Sequence, residues 1–497
     1  MDQQPTALDP YGRDIPGECA RLRAAGDVVA VTLPGGIPAY AITRHDHLHD
    51  LMLDDRVSKD PRRHWALWDQ ALTRPAWRWV LGWIGPQNML NTYGRDHTRL
   101  RKPLQTTFTA RRIEALRPPV SAIIERLLAP LTVLPAGATA DLRAVLAYPL
   151  PMEVISQLFG VPADRRPQLA GLVTRIMDTT ATDEQAAETV AMIDTVVSAL
   201  IDHKRKLPGD DLTSALIAVL ETDDGRLTPD ELRDTILLTY GAGFETTVHL
   251  IANAAHLLLT HRGVLRRLLA GEISWERVLA EVLRLRPSIA SLPLRYAVEA
   301  MTLSGVTIPA GAAILTTIAA ANRDPERYGP DTDEFNPERP RDPRSHLAFG
   351  VGVHHCLGRA LALMEAEMAL RALFQHFPGI RLAHDPEPGH VPSFIANGPA
   401  TLHATLSAPP IPANITGKVL TFGGQDHPAM KELRDYVLYA YDGGRTEGDS
   451  VRTIALNTRR SNGSTYKILA EAGVPLRSRG GTMRSPSARA QRHPRAS

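Results

Sequence analysis

The residues that could do chemistry are led by one cysteine in a glycine-rich loop, Phe349-Gly350-Val351-Gly352-Val353-His354-His355-Cys356-Leu357-Gly358. Two glycines allow a tight turn and a close approach of backbone to a neighbour. Cys356 stands just before a stretch with helical spacing, so its sulfur is expected near helix N-terminal amides, which stabilise a thiolate. A thiolate held there is a good axial ligand for iron and pushes electron density toward a bound O–O bond. A lone cysteine is more often a buried structural residue; Phe, two Gly, His and a following Gly at these spacings favour the ligand.

A second group is Ala242-Gly243-Phe244-Glu245-Thr246-Thr247, midway along a long apolar segment. Glycine and threonine are poor helix residues and need a reason in such a place. Gly243 removes side-chain bulk where a small ligand could sit. The Thr246 hydroxyl can bond the local backbone and open a groove, and Glu245 is a proton source if it reaches solvent. Glu281 and Arg284 form an i,i+3 acid–base pair, by itself a routine surface feature. His97 and Arg101 share a helix face at i,i+4, and Arg295 lies in Leu292-Pro293-Leu294-Arg295-Tyr296. Basic groups of this kind become informative where a carboxylate-bearing ligand enters an interior and needs charge-assisted donors.

With these residues the chain resembles the cytochrome P450 family of haem-thiolate monooxygenases. F-x-x-G-x-H-x-C-x-G is matched in full and Arg359-Ala360-Leu361-Ala362 continues it; residues 242–247 match the family's [AG]-G-x-[DE]-T-[TS]. The resemblance implies a mainly α, helix-rich fold with small β-sheets around haem b (iron protoporphyrin IX). It implies that Cys356 is the iron ligand, that His97, Arg101, Arg295 and His354 bond the propionates, and that Phe349, Gly350, Gly358 and Ala242 line the haem site. It gives Thr246 a hydrogen bond to oxygen as it is activated, and Glu245 and Gly243 supporting parts in that step. It also implies a structural Glu281–Arg284–Arg339 network, with Arg339 from Phe335-Asn336-Pro337-Glu338-Arg339. Stretches such as His64-Trp65, Asn88-Met89-Leu90 and Pro392–Gly398 look like soluble actinobacterial P450s that hydroxylate macrolides and steroids.

The reaction so implied inserts one oxygen atom from O2 into a hydrophobic small molecule: a steroid, a macrolide or another secondary-metabolite-like substrate. Two cysteines cannot both ligate haem and hold a four-thiolate iron–sulfur cluster. Electrons are therefore expected from NAD(P)H through an external ferredoxin and ferredoxin reductase. Arg99, Arg101, Lys102, Arg111, Arg112 and Arg359 are the expected basic docking face. The expected substrate-facing positions are the Trp65–Met89 loop, Tyr240, Ala242, Ile289–Leu292 and Phe394.

The elements that must position these groups follow from periodicity. Strands are expected at Val28–Leu33 and Ala39–Thr43, joined through Pro34-Gly35-Gly36. Trp65, Trp68, Trp77, Trp79 and Trp83 are expected to pack the core and line a cleft, and Asp96–Arg112 to be helical. Asp230–His261 predicts a helix about 48 Å long, enough to cross a 400-residue domain whose radius of gyration is roughly 22 Å. Helices are also expected at Trp275–Leu285 and at about Cys356–Phe377.

The 497 residues carry a net charge of +2, with 43% apolar and 22% charged residues, the composition of a globular chain with a sizeable core. No apolar run of about 18 residues predicts a membrane span, and the polar start predicts no signal peptide; a cytoplasmic location is expected. Residues 408–497 hold 14 Lys+Arg against 7 Asp+Glu, so a second body is expected there. The expected division is a haem-thiolate domain at 1–407, a linker at 408–430, a small helical basic module at 431–483 and a disordered tail at 484–497. Residues 431–481 resemble a helix-turn-helix module, with Asn462–Ala472 as its recognition helix; Arg459 stands where the turn usually has Gly and Thr465 at a usually apolar position. Clustered arginines suit phosphate contacts. Beside an idle fused segment, the alternatives are therefore a haem-based sensor or regulator that binds DNA through this tail, or a tail that recruits a protein partner.

Overall fold

A computed structural model describes residues 4–106, 108–135, 137–221, 227–340, 343–383 and 388–406, together with 476–477 and 483–484. The expected linker, all of the expected tail but Arg484, and nearly all of the basic module lie outside the described residues. At the end of the module, Leu476–Arg477 pairs antiparallel with Met483–Arg484, whose second residue belongs to the expected tail.

The larger sheet has six strands: β1 (Thr6–Ala7), β2 (Val28–Leu33), β3 (Ile37–Ile42), β4 (Val57–Ser58), β5 (Leu292–Ala297) and β6 (Ala313–Thr316), in spatial order β1-β2-β3-β6-β5-β4. β2 forms over the expected residues. β3 begins earlier than expected because the turn is tight and Leu33 already pairs with Ile37. Two tryptophans fix that turn: Trp77 Nε1 donates to Gly35 O at 2.8 Å and Trp79 Nε1 to Pro34 O at 3.1 Å. Trp65 and Trp77 are buried beneath the sheet, with Trp68, Trp79 and Trp83 packed partly buried around them.

Helices build the rest. The expected helix over Asp96–Arg112 is two: α1 (Arg95–Gln105), whose last turn contains Pro103, and α2 (Ala110–Glu114), restarted by a Thr109 side-chain cap. They are followed by α3 (Pro149–Leu158) and α4 (Arg166–Met177). The crossing helix is α5 (Pro229–Thr260), unbroken over 32 residues. Thr228 and Glu231 close a reciprocal capping box at its start and Pro229 occupies its first turn, which satisfies orphan amides and pre-sets the backbone. α6 (Trp275–Leu285) agrees with expectation. α7 (Arg359–His376) starts three residues later than expected. Cys356 N donates to Phe349 O at 2.8 Å, so the cysteine closes the loop instead of entering the helix.

The main core gathers α3, α4, α5, α6 and α7, and a second packs on the larger sheet. α5 contacts α3, α4, α6 and α7 and so forms a common wall. No described helix is long and apolar enough to cross a membrane.

Candidate functional site

Gly350 and Gly352 take φ of +65° and +68°, the region where a Cβ is strained. They turn the loop so that Cys356 is presented ahead of α7. The amides of Gly358 and Arg359 donate to the sulfur, and Arg101 adds a favourable charge; burial is the larger influence and leaves the thiol raised. The residue is nonetheless exposed, because its open face belongs to an internal cavity. A Cβ on Gly358 would stand 4.0 Å from the sulfur, in ordinary contact, so this glycine is not required to clear the sulfur.

The opposite wall of that cavity is α5, through Ala242, Gly243 and Thr246. Thr246 Oγ1 donates to Ala242 O at 2.6 Å and Thr247 Oγ1 to Gly243 O at 3.0 Å. The ladder is therefore back-bonded at the two threonines while the helix stays continuous. A Cβ on Gly243 would sit 2.9 Å from Ile155 Cδ1. That missing side chain lets Ile155 of α3 come close, and both residues line the cavity.

Glu245 does not reach bulk solvent: it is 1% exposed. Its carboxylate faces a smaller second cavity lined also by Arg143, Thr174, Asp178 and His249. Thr174 Oγ1 donates to it, with Arg143 Nη2 at 4.0 Å and His249 Nε2 at 3.6 Å. Burial raises its pKa against the opposing pull of Thr174 and Arg143. Burial, helped by Arg143, pushes His249 down to about 3, so the imidazole is neutral. Arg143 and Thr174 carry no sequence signal of this role, since only the packing of α4 and of the segment before α3 brings them to Glu245, whereas His249 follows Glu245 at i,i+4 on α5.

The basic residues converge as expected. Arg101, Arg295 and His354 line the main cavity, and Arg101 Nη2 also donates to His355 O at 2.6 Å. His97 stands behind His354, ring centroids 4.3 Å apart, and its Nε2 is buried without a partner. Burial pushes Arg295 down to about 10; burial and Arg101 push His97 down to about 4; burial and Arg295 hold His354 well below the ordinary value. Lys59, which no sequence motif marks, lines the same cavity. No carboxylate does so among the described residues. A thiol for iron, a cluster of basic side chains without acids and largely apolar walls fit a macrocycle carrying an iron and two carboxylates. Haem would be held by Cys356 at the metal and by the basic group at its edge, with Phe349, Gly350, Gly358 and Ala242 along the walls.

Glu281, Arg284 and Arg339 form a fully buried network. Arg284 grips the Glu281 carboxylate at 2.7 and 2.9 Å and Arg339 Nε reaches both of its oxygens at 3.1 Å. The remaining guanidinium donors go to carbonyls, including Asn322 O, Thr332 O and Tyr328 O, and to the Asp331 carboxylate at 3.3 Å. Buried charges persist when paired and hydrogen-bonded in this way.

Some expected positions fall elsewhere. Tyr240 and Phe394 are core: Tyr240 OH meets Ser156 Oγ at 2.9 Å, and Phe394 packs edge-on to Trp79. Of the Trp65–Met89 loop, Gly82, Trp83, Pro86, Asn88 and Met89 reach the cavity; Ile289 and Leu292 do so from the other side. Met177 and Leu237, which have no distinguishing sequence signal, join them. In the basic face, Arg99 is committed to Glu231 at 2.6 and 2.9 Å and Arg101 to the cavity. Lys102, Arg111, Arg112 and Arg359 stay exposed, and α2 packs on α7.

The cytochrome P450 family model matches residues 275–392, and a helix-turn-helix domain model matches residues 431–484. The 2-hydroxy-5-methyl-1-naphthoate 7-hydroxylase of Streptomyces carzinostaticus is 36% identical over 404 residues, 81% of this chain and 97% of that protein. The cytochrome P450 monooxygenase PikC of Streptomyces venezuelae is 38% identical over 388 residues, 78% of this chain and 88% of that one. The structure of CYP154A1 from Streptomyces coelicolor A3(2) superposes with a TM-score of 0.77 at 43% identity, over 81% of this chain and 100% of that one. Relatives of this similarity and coverage, around a cavity with a thiol on one wall and paired threonines on the other, make the chain a haem-iron monooxygenase that belongs to the cytochrome P450 family.

Proposed function

We propose that residues 1–407 oxygenate a hydrophobic small molecule of steroid, macrolide or aromatic-polyketide size, using electrons from NAD(P)H delivered by an external ferredoxin and its reductase. The observation that carries the reading is the Cys356 sulfur, turned into an apolar cavity beneath the N-terminal amides of α7. Haem, when bound, supplies the iron at which dioxygen is activated, one oxygen atom entering the substrate and the other leaving as water. The Gly358 and Arg359 amides favour the thiolate against the opposing effect of burial. Arg101 and Arg295 offset the charge of the cofactor's carboxylates, and His97 and His354 help to orient them as hydrogen-bond donors. Thr246 presents a hydroxyl at the cavity wall. Glu245 lies on the other face of α5, oriented by Thr174, Arg143 and His249, where burial favours its taking up a proton. Trp83, Met89, Met177, Leu237, Ile289 and Leu292 exclude water and favour an apolar guest. The naphthoate hydroxylase relative acts, by its name, on a fused aromatic acid, which suits such walls.

The cysteine assignment is tested by the reduced CO complex. Cys356→Ala should abolish the red-shifted Soret band, and a normal band in that variant overturns the assignment. Screening polycyclic and macrocyclic compounds for a low- to high-spin Soret shift tests the substrate class; a response confined to small hydrophilic compounds would overturn it.

The helix-turn-helix match at 431–484 favours a second reading, a haem-based sensor or regulator whose basic tail binds DNA. Binding through arginine–phosphate contacts weakens steeply with salt. Salt-sensitive DNA retention by the full chain, lost on removing 408–497, supports this reading; retention unaffected by the deletion counts against it.

A further inference from the structure

A buried lysine with nothing to pair with marks one more contact in the haem site. Lys59 follows directly after β4 and is only 2% exposed. β4 pairs antiparallel with β5, Val57 opposite Ala297 and Ser58 opposite Tyr296. One further step along that register sets Lys59 across from Arg295. Both side chains line the main cavity, and among the described residues neither hydrogen-bonds or ion-pairs with any group. Like charges directly opposite across a sheet repel, and lysine is almost never fully buried unless paired. Burial, and then Arg295, depress the ammonium far below its ordinary pKa. The neighbouring acid is engaged elsewhere: Asp60 accepts from the Arg63 amide at 3.2 Å and pairs with the Arg63 side chain at 3.5 Å. The strand therefore places two interior cations side by side and provides no anion. An anion at that end of the cavity would satisfy both at once.

We propose that Lys59 is a further anchor for the haem carboxylates, acting with Arg295 across the β4–β5 pair. The inference rests on the haem reading above and deepens it. Arg295 and His354 come from segments far along the chain, whereas Lys59 comes from its N-terminal part. Haem thereby ties the edge strand β4 to the sheet through charge as well as through the two ladder pairs.

The test uses the haem-loaded full chain without substrate, so a carboxylate carried by a substrate cannot contribute. Haem transfer to excess apomyoglobin and the haem reduction potential are measured for wild type, Lys59→Met, Lys59→Arg and Arg295→Met. Hydrogen bonds to charged groups of this kind correspond to roughly ten-fold or more in a dissociation rate. Lys59→Met should release haem at least about ten-fold faster and shift the potential to more negative values, since a cation beside the ferrous form is lost. Lys59→Arg should restore both. A merely structural lysine would leave the potential where it is. Release within two-fold of wild type and an unmoved potential in Lys59→Met overturn the proposal. If Arg295→Met then still loses haem quickly, the basic-cluster reading stands and only the part given to Lys59 falls; if it too is unchanged, both fall. Should Lys59→Met purify without haem, retention by Lys59→Arg supports the anchor, and loss by both overturns it in favour of a shape requirement.

Discussion

Thr246 and Glu245 are adjacent in the chain yet face different cavities, the first the sulfur side and the second the pocket of Arg143, Thr174 and His249. A proton held on Glu245 must therefore pass over the surface of α5, by rotation of the carboxyl or by water, to reach the threonine hydroxyl. Removing the hydroxyl leaves the route without its last donor. Thr246→Ala should consume NAD(P)H at a comparable rate while releasing more peroxide and less product; unchanged coupling would count against the relay. Burial raises the Glu245 pKa against the pull of Thr174 and Arg143, which favours the protonated, donating form. Glu245→Gln keeps the shape and removes the proton, and should lower product formation by roughly 10²-fold, the usual size of a lost general acid. An enlarged solvent isotope effect in product formation is the accompanying sign.

At the scale of elements, two charged features lie on the helices that brace the cysteine loop. Glu365 on α7 is buried, one carboxylate oxygen has no partner, and burial pushes its pKa up to about 8. A carboxyl raised in the fold binds a proton that the unfolded chain gives up between about pH 4.5 and 8. Stability attributable to this residue is thus greatest in acid and falls as pH rises through that window, by about 1.4 kcal/mol for each pH unit crossed. Glu365→Gln has no proton to lose. The gap in thermal midpoint between the variant and wild type should widen in the variant's favour from pH 5 to pH 8, and a constant gap would refute the argument. On α6, Glu281 is shared by Arg284 and Arg339. Arg339→Met leaves the carboxylate with one guanidinium in a dry interior, which costs roughly 3–5 kcal/mol. Denaturant midpoints followed by far-UV circular dichroism and by the Soret band should both drop.

At the scale of the whole molecule, Lys102 on α1, Arg111 and Arg112 on α2 and Arg359 on α7 are exposed, and α2 packs on α7. Exposed basic charge steers an acidic partner, and the effect is screened by salt. Replacing Arg111 and Arg112 together by Glu should raise the KM for a ferredoxin several-fold at low ionic strength while leaving the CO spectrum unchanged, the difference shrinking in high salt. The naphthoate hydroxylase matches 81% of this chain over 97% of its own length, and a separate helix-turn-helix model matches residues 431–484. Removing 408–497 should therefore leave the haem spectrum intact, and loss of haem would make the tail a part of that body.

Local chemistry and periodicity are enough to recognise the cysteine loop, the Gly-x-Glu-Thr-Thr stretch, the Glu281 pair, strand β2 and helix α6, because each depends on neighbours a few residues apart. The ends of elements are less legible: α7 starts at Arg359, its first helical bond running from Ala362 N to Gly358 O, while the preceding Cys356 amide closes the loop on Phe349 O, a bond that no spacing rule foretells. The cavity contacts made by residues distant in sequence are least legible of all. Tyr240 and Phe394 turn into the core, Gly243 yields its space to Ile155, Glu245 faces a second cavity, and Arg99 is taken by Glu231. Lys59 looks like any charge on a strand edge until β4 is laid against β5. Types and short spacings set which reactions the chain could support. Only packing decides which way each side chain points, since burial and pairing depend on what other segments bring alongside.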